Sequence, residues 1–172
     1  NPKQNFNVQL ARIYGELGNI EQMFSNYIDY IESKPTFLNN GKRAFSDFIS
    51  ESSDNENNSS LRKLLLKKIQ AQPEEIWYDM LSWLYIQEKA YNKAFIQEKA
   101  LYRRNPESLS RITDLALTAI NEKDHDTATS IFNYILENSQ DIETRLTAHQ
   151  YLLDLEITNA SKKDFKEIQD KY

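Results

Sequence analysis

EIWYDMLSWLYIQEKAYNKAFIQEKALYRRNPES (75–108) runs without a gap into LSRITDLALTAINEKDHDTATSIFNYILENSQDI (109–142), and the second stretch repeats the pattern of the first. With Leu81 set over Leu115, Ser82 falls over Ala116, Tyr85 over Ala119, Ala94 over Ala128 and Leu101 over Ile135. The spacing, 34 residues from Leu81 to Leu115, is that of a helical solenoid. In the second copy Ile112, Leu115, Ala116 and Ala119 fall three or four apart, as one face of a helix requires, and Ala128, Phe132, Ile135 and Leu136 do so again. Two amphipathic helices joined by a short polar turn make a hairpin, and one hairpin cannot bury both its apolar stripes, so it must stack on a neighbour. Small residues at Ser82, Ala94, Ala116 and Ala128 let helix axes approach to about 8–10 Å.

The phase extends outward. Over Gln9–Pro35, Leu10, Ala11 and Tyr14 form the core face of one helix, Gly18 and Asn19 supply the turn, and Met23, Tyr27, Tyr30 and Ile31 line a second helix that ends at Pro35. Leu10 precedes Leu81 by 71 residues, which is one period and one lengthened by three. The copy between them has Ala44, Phe45 and Phe48 on its first helix and Leu61, Leu65 and Ile69 on its second, which ends before Pro73. The extra residues belong in ESSDNENNSS (51–60). This run reads as a long loop inside the repeat, because the phase resumes beyond it; Ser59 or Ser60 is expected to cap the next helix, and shortening the loop to be close to neutral. After Ile142 the pattern weakens into a helix with Ala148 and Tyr151 as core positions, a turn at Asn159–Ser161, and a short polar helix carrying Phe165 and Ile168. The expected organisation is one array with repeats at 4–37, 38–74, 75–108 and 109–142, and a partial or capping hairpin at 143–172.

Tyr78, Leu81, Ser82, Tyr85, Ala94, Leu101 and Pro106 together resemble the tetratricopeptide repeat, with a small residue in each helix, large residues around it and proline closing the second helix. Glu98 departs from that pattern, standing where an aromatic is usual and where Phe132 stands one copy later. Looser packing at that layer, or an outward-turned carboxylate, is expected. The resemblance implies an all-α, right-handed superhelical solenoid of antiparallel helix hairpins, about four and a half repeats long. It also implies a non-enzymatic scaffold whose concave face binds a protein or peptide. Matching positions places Arg12, Lys42, Arg43, Asp79, Met80, Trp83, Ile86, Leu117 and Ile120 on that face, basic at one end and apolar at the other. The Lys/Arg/Asn clamp by which some family members hold a chaperone's carboxylate tail is not reproduced, since Val8, Arg12, Met80 and Asp114 break it. The rival reading is a structural segment whose groove is filled by its own chain or by a second copy, making a homo-oligomer. The chain begins with Asn1 instead of Met, which reads as a segment of a larger bacterial repeat protein. The resemblance points to export, to the periplasm or beyond; the absence of cysteine suits that compartment and the cytoplasm equally.

Composition narrows the functional classes. The chain of 172 residues has 40% hydrophobic and 27% charged residues with only three glycines and four prolines, which suits a helical fold with a continuous core. A net charge of −5 argues against nucleic-acid binding, and no apolar run approaches the roughly 20 residues that would insert in a membrane. Phosphate-cradling glycine loops, zinc-protease and nucleophile-elbow motifs are absent, so no catalytic residue, metal site or cofactor is expected. The Asp124-His125-Asp126 run reads as a helix cap beside a turn residue. Arg62, Lys63, Lys67 and Lys68 read as the solvated side of an amphipathic helix, with an acidic-partner patch as the sharper reading.

Overall fold

The computed structural model describes residues 6–106 and 108–169, with side chains described through residue 160. Nine α-helices follow one another among these residues, with no strand: α1 (Asn7–Glu16), α2 (Ile20–Ser33), α3 (Leu38–Ser46), α4 (Glu56–Ala71), α5 (Glu75–Gln87), α6 (Tyr91–Arg104), α7 (Ser110–Asn121), α8 (His125–Asn138) and α9 (Ile142–Gln169). A single 3-10 turn, Pro35–Phe37, links α2 to α3. The chain groups into two compact units, 1–101 and 102–172, dividing inside α6 where the sequence reads as one uninterrupted array.

The period of the sequence is written into the backbone. Gly18, Lys89 and Lys123, at the same place in three copies, have φ of 73°, 54° and 66°. In each case the next residue's N–H donates back to the carbonyl five residues earlier: Asn19 to Tyr14, Ala90 to Tyr85 and Asp124 to Ala119, all at 2.8 Å. This is the Schellman closure, which satisfies a helix's last carbonyls by turning one residue left-handed. Glycine takes that conformation at little cost, whereas the lysines hold it against Cβ strain. The following helices start on side-chain caps where the sequence supplies one: Asn19 accepts from the Gln22 N–H at 3.3 Å and Asp124 from the Thr127 N–H at 3.2 Å.

In the first unit α2 packs on α1, α3 and α4, and α3 and α4 both meet α5. Its core holds Phe24, Ile28, Ile31, Phe45, Leu61, Leu65, Trp77, Leu81 and Leu84, all fully buried. Phe45 sits edge-on to Phe24 at 4.9 Å between centroids. The close approach of α3 to α2 is made by Gly41, where an added Cβ would lie 2.5 Å from Ile31 Cδ1. Ala44, expected on the core face of this helix, is only half-buried. Leu10, also expected in the core, is 41% exposed, and Ala11 alone anchors α1 as a fully buried residue.

Two buried polar contacts replace expected features. Glu98 is neither turned outward nor loosely packed: it is 4% exposed and accepts a 2.5 Å hydrogen bond from the Ser82 hydroxyl. The small residue that admits the neighbouring helix thus also satisfies the carboxylate that takes the aromatic's place. The loop between α3 and α4 is likewise pinned. Asn55, and neither Ser59 nor Ser60, caps α4, accepting from the N–H groups of Asn57 and Asn58 at 2.9 and 3.2 Å. Asn58, fully buried, accepts from the Ser50 N–H at 3.0 Å and donates to the Ser50 and Ser52 carbonyls at 2.7 and 3.2 Å. Asn57 donates to the Phe48 carbonyl at 2.8 Å.

In the second unit α7 and α8 pair as a hairpin and α9 packs on α8. Ala116, Ala119 and Ala128 are fully buried among Ile112, Leu115, Ile131, Phe132 and Ile135, the arrangement the spacing predicts. Tyr151 stacks on Phe132 at 4.8 Å, and Ala148 and Leu155 are buried on the same side of α9. Among the described residues no turn forms within the hairpin expected at 143–172: the backbone stays helical from Ile142 to Gln169, through the turn expected at Asn159–Ser161. Asn and Ser are weak helix formers but break no hydrogen bond, and without Gly or Pro nothing there obliges the helix to stop. Phe165 and Ile168 lie outside the residues whose side chains are described.

Candidate functional site

The first unit brings α3 and α5 side by side, and the expected contact residues on them separate into three groups. Lys42 and Asp79 meet as an ion pair, Nζ to Oδ2 at 2.5 Å, with both side chains mostly shielded from water. One turn further along α5 Trp83 is half-buried, and Ile86 after it is half-buried too. Beyond them Ile86, Ser46, Ile49, Ser50, Gln87 and Tyr91 line an open recess of about 260 Å³, at whose rim the exposed Lys89 and Glu51 pair at 3.1 Å. The face therefore runs from a neutralised ion pair, past a partly exposed indole, to a polar recess.

Met80 does not belong to this face. It is fully buried, with its methyl group 3.9 Å from where a Cβ on Gly41 would lie, and so it is a core residue between α5 and α3. A glycine on the facing helix opens a gap that a long, flexible side chain fills. Arg12 and Arg43 are exposed and make no ion pair among the described residues. Leu117 and Ile120 are half-buried on α7, in the second unit. Trp77, overlooked as a core residue in the sequence, is fully buried, and its indole N–H has no hydrogen-bond partner. Its place beside Tyr78 gave no warning, since adjacent aromatics on a helix point about 100° apart and either could face inward.

The basic group on α4 is partly consumed inside the unit. Arg62 donates to Glu88, whose side chain is wholly buried, at 2.5 Å, and to the Ser53 carbonyl at 3.0 Å, tying α4, the loop and the end of α5 together. Lys68 reaches Glu32 at 2.9 Å and Asp29 at 3.3 Å on α2, and lies 5.8 Å from the Trp77 ring centroid. Burial alone would lower the Lys68 pKa, but the hydrogen bonds and charges of Glu32 and Asp29 outweigh it and raise it above the ordinary 10.5. Tyr85 is also raised above 10.0, first by burial and further by Glu88, against the opposing charge of Arg62. Only Lys63 and Lys67 stay exposed from that group.

The largest exposed apolar side chains lie elsewhere. Phe6, Leu10, Ile13 and Leu17 form a stripe along α1, and Ile142, Leu146, Leu153 and Ile157 lie along α9. The α1 residues fall three and four apart, whereas on α9 they are two pairs separated by the exposed His149 and Gln150; each helix has a second apolar face, and only packing shows which face is covered. Among the described residues no group of three or more His, Cys, Asp or Glu side chains could hold a metal ion, and no helix is long and apolar enough to cross a membrane. No family model matches the chain. No curated protein matches it either.

Proposed function

We propose that this chain is a non-enzymatic interaction scaffold of the tetratricopeptide kind, a right-handed solenoid segment that binds a protein or peptide along the α3–α5 face. The observation that carries this reading is the half-buried Trp83, set between the Lys42–Asp79 pair and the polar recess. A partly exposed indole on a rigid helix gives a partner a large apolar contact at little entropic cost, and such residues dominate binding energy at interfaces. The repeated Schellman turns and small-residue contacts support the repeat reading. A larger bacterial array and an exported location follow from the resemblance alone.

The test is capture by the immobilised chain, compared with Trp83→Ala. One partner retained by the unsubstituted chain and lost from the variant, with helical circular dichroism unchanged, is expected. Equal capture by both would remove the α3–α5 face from the proposal. The rival is a structural or self-associating segment whose groove is filled by its own chain or by a second copy, and a gain in mass with concentration that Trp83→Ala abolishes would favour it.

A further inference from the structure

The chain has three glycines, and one of them follows an asparagine: Asn40-Gly41, in the first turn of α3. Packing fixes the glycine. Gly41 is buried, and an added Cβ would lie 2.5 Å from Cδ1 of Ile31, itself fully buried. The asparagine before it is held by nothing: Asn40 is exposed, and its side-chain amide has no hydrogen-bond partner among the described residues. Several other asparagines are tied, Asn19 and Asn55 as helix caps, Asn57 and Asn58 to loop carbonyls, and Asn138 to the Tyr134 carbonyl at 2.8 Å.

An asparagine followed by glycine carries both partners of a ring closure. The Gly41 backbone nitrogen attacks Asn40 Cγ and gives up its amide proton to hydroxide, while Nδ2 takes a proton and leaves as ammonia, so that a succinimide closes. Water then opens the ring at the Cγ–N bond to give aspartate, or at the original peptide bond to give isoaspartate, whose backbone is one carbon longer. Glycine favours closure because no Cβ shields its nitrogen and its backbone turns freely. A helix opposes closure by tying each N–H to the carbonyl four residues back and holding that nitrogen away from Cγ. Gly41 is the fourth residue of α3, the first whose N–H a helix ties in this way. α3 is nine residues long, with no side-chain cap and no acidic residue in its first turn. Such an end opens at far lower cost than the fold as a whole.

We infer that Asn40 is a site of spontaneous deamidation in the folded protein, released by opening of the first turn of α3, and that isoaspartate formed there ends the α3–α5 packing. The lengthened backbone moves Gly41 from its slot against Ile31 and Lys42 from its register with Asp79. Aspartate instead adds a carboxylate to a helix's first turn, where the macrodipole favours it. The two products of one ring opening therefore act oppositely on the same face. The packing demand that puts glycine at position 41 is also what leaves Asn40 open to attack, whatever binds beside Trp83.

Incubation of the chain at mildly alkaline pH and physiological temperature tests it, with peptide mass spectrometry to locate the change and isoaspartyl methyltransferase to count isoaspartate. Position 40 is expected to exchange ammonia for water, and Asn39, equally exposed but followed by Asn40, to change far more slowly. The folded chain is expected to convert about ten- to a hundredfold more slowly than the chain in guanidinium chloride, the protection of a helix end. Equal rates would mean that α3 does not hold the turn closed; protection as large as the global unfolding constant would mean that no local opening serves. Either result overturns the proposal. The aged chain is expected to melt below the fresh one, and aged Asn40→Gln, whose longer side chain closes a ring poorly, to keep its melting temperature. Fresh Asn40→Asp, with the charge but not the added carbon, is expected to melt at or above the unsubstituted chain. An aged Asn40→Gln that loses as much stability as the aged unsubstituted chain, or an Asn40→Asp that melts as low, would overturn the isoaspartate account.

Discussion

Lys89 and Lys123 hold left-handed backbone that Gly18 adopts freely at the matching turn, so the same closure is made at different cost in different copies. Lys123→Gly should therefore raise unfolding stability by up to about 1 kcal/mol, and Gly18→Ala should lower it by a similar amount, measured by urea titration. An opposite sign for both would mean that the turns are not held by backbone conformation. The buried carboxylate of Glu98 makes a second residue-scale case. Ser82→Ala removes a hydrogen bond to a group 4% exposed and should cost about 1–3 kcal/mol, even though Ala is the residue at the equivalent Ala116. A neutral Ser82→Ala would show that Glu98 is satisfied without the hydroxyl. Glu98 is also where the sequence misled: an acidic residue in an aromatic's position suggests disruption, but a hydroxyl one helix away helps to make it compatible with burial.

The element that behaves least like its composition is the loop before α4. A glycine-free Asn/Ser run suggests an inert insertion, but its asparagines are spent on its own backbone: Asn55 as the cap, Asn57 and Asn58 on three loop carbonyls, and Arg62 on a fourth. Asn58→Ala should cost about 2–3 kcal/mol because it leaves buried loop groups unsatisfied. Deleting residues 54–58, which would be near neutral for a free loop, should destabilise the first unit by more than that single change; thermal melting of both variants decides between a docked loop and an inert one. In the second unit Ala116→Phe should cost about 1–3 kcal/mol or more, because Ala116, Ala119 and Ala128 are all fully buried and leave no room for a ring. An unchanged melting temperature would refute that packing. The α7–α8 hairpin was legible because small and large residues alternate along the buried stripe of each of its helices. α3 was less so, because Gly41 carries no apolar signal yet makes the closest approach.

For the molecule as a whole, the resolved titrations at Lys68 and Tyr85 act in the same direction. Both groups hold their proton more tightly folded than unfolded, so their contribution is complete below the unfolded values of 10.5 and 10.0 and is lost as pH rises through the higher folded values. Stability should stay level from neutral pH to about 10 and then fall. Trp77 and Trp83 both lie in the first unit, as do Lys68 and Tyr85, so tryptophan emission should report this loss directly. Emission unchanged past pH 11 would remove these contacts from the account. At the acidic end Asp141 works in the opposite sense. The side-chain and backbone hydrogen bonds from Thr144 lower its pKa below 3.8, so the cap it gives α9 weakens as pH falls through that lower value.

The amino-acid sequence alone determined the all-helical character, the 34-residue period and the small-residue contacts, because these depend on spacing within a helix and on side-chain volume, both of which are local. It also placed the turns within the three regular hairpins, where the structure sets a left-handed residue at the same phase, but not the end of α9. Tertiary structure alone decided that Met80 is core and Trp83 only half-buried, that Glu98 and Glu88 are buried with partners, and that the apolar faces of α1 and α9 are uncovered. Those outcomes depend on which helix stands opposite a given side chain. An apolar or acidic residue looks the same in sequence whether its neighbour is a glycine, a hydroxyl, an arginine or water, and the free energy of burying it differs in each case.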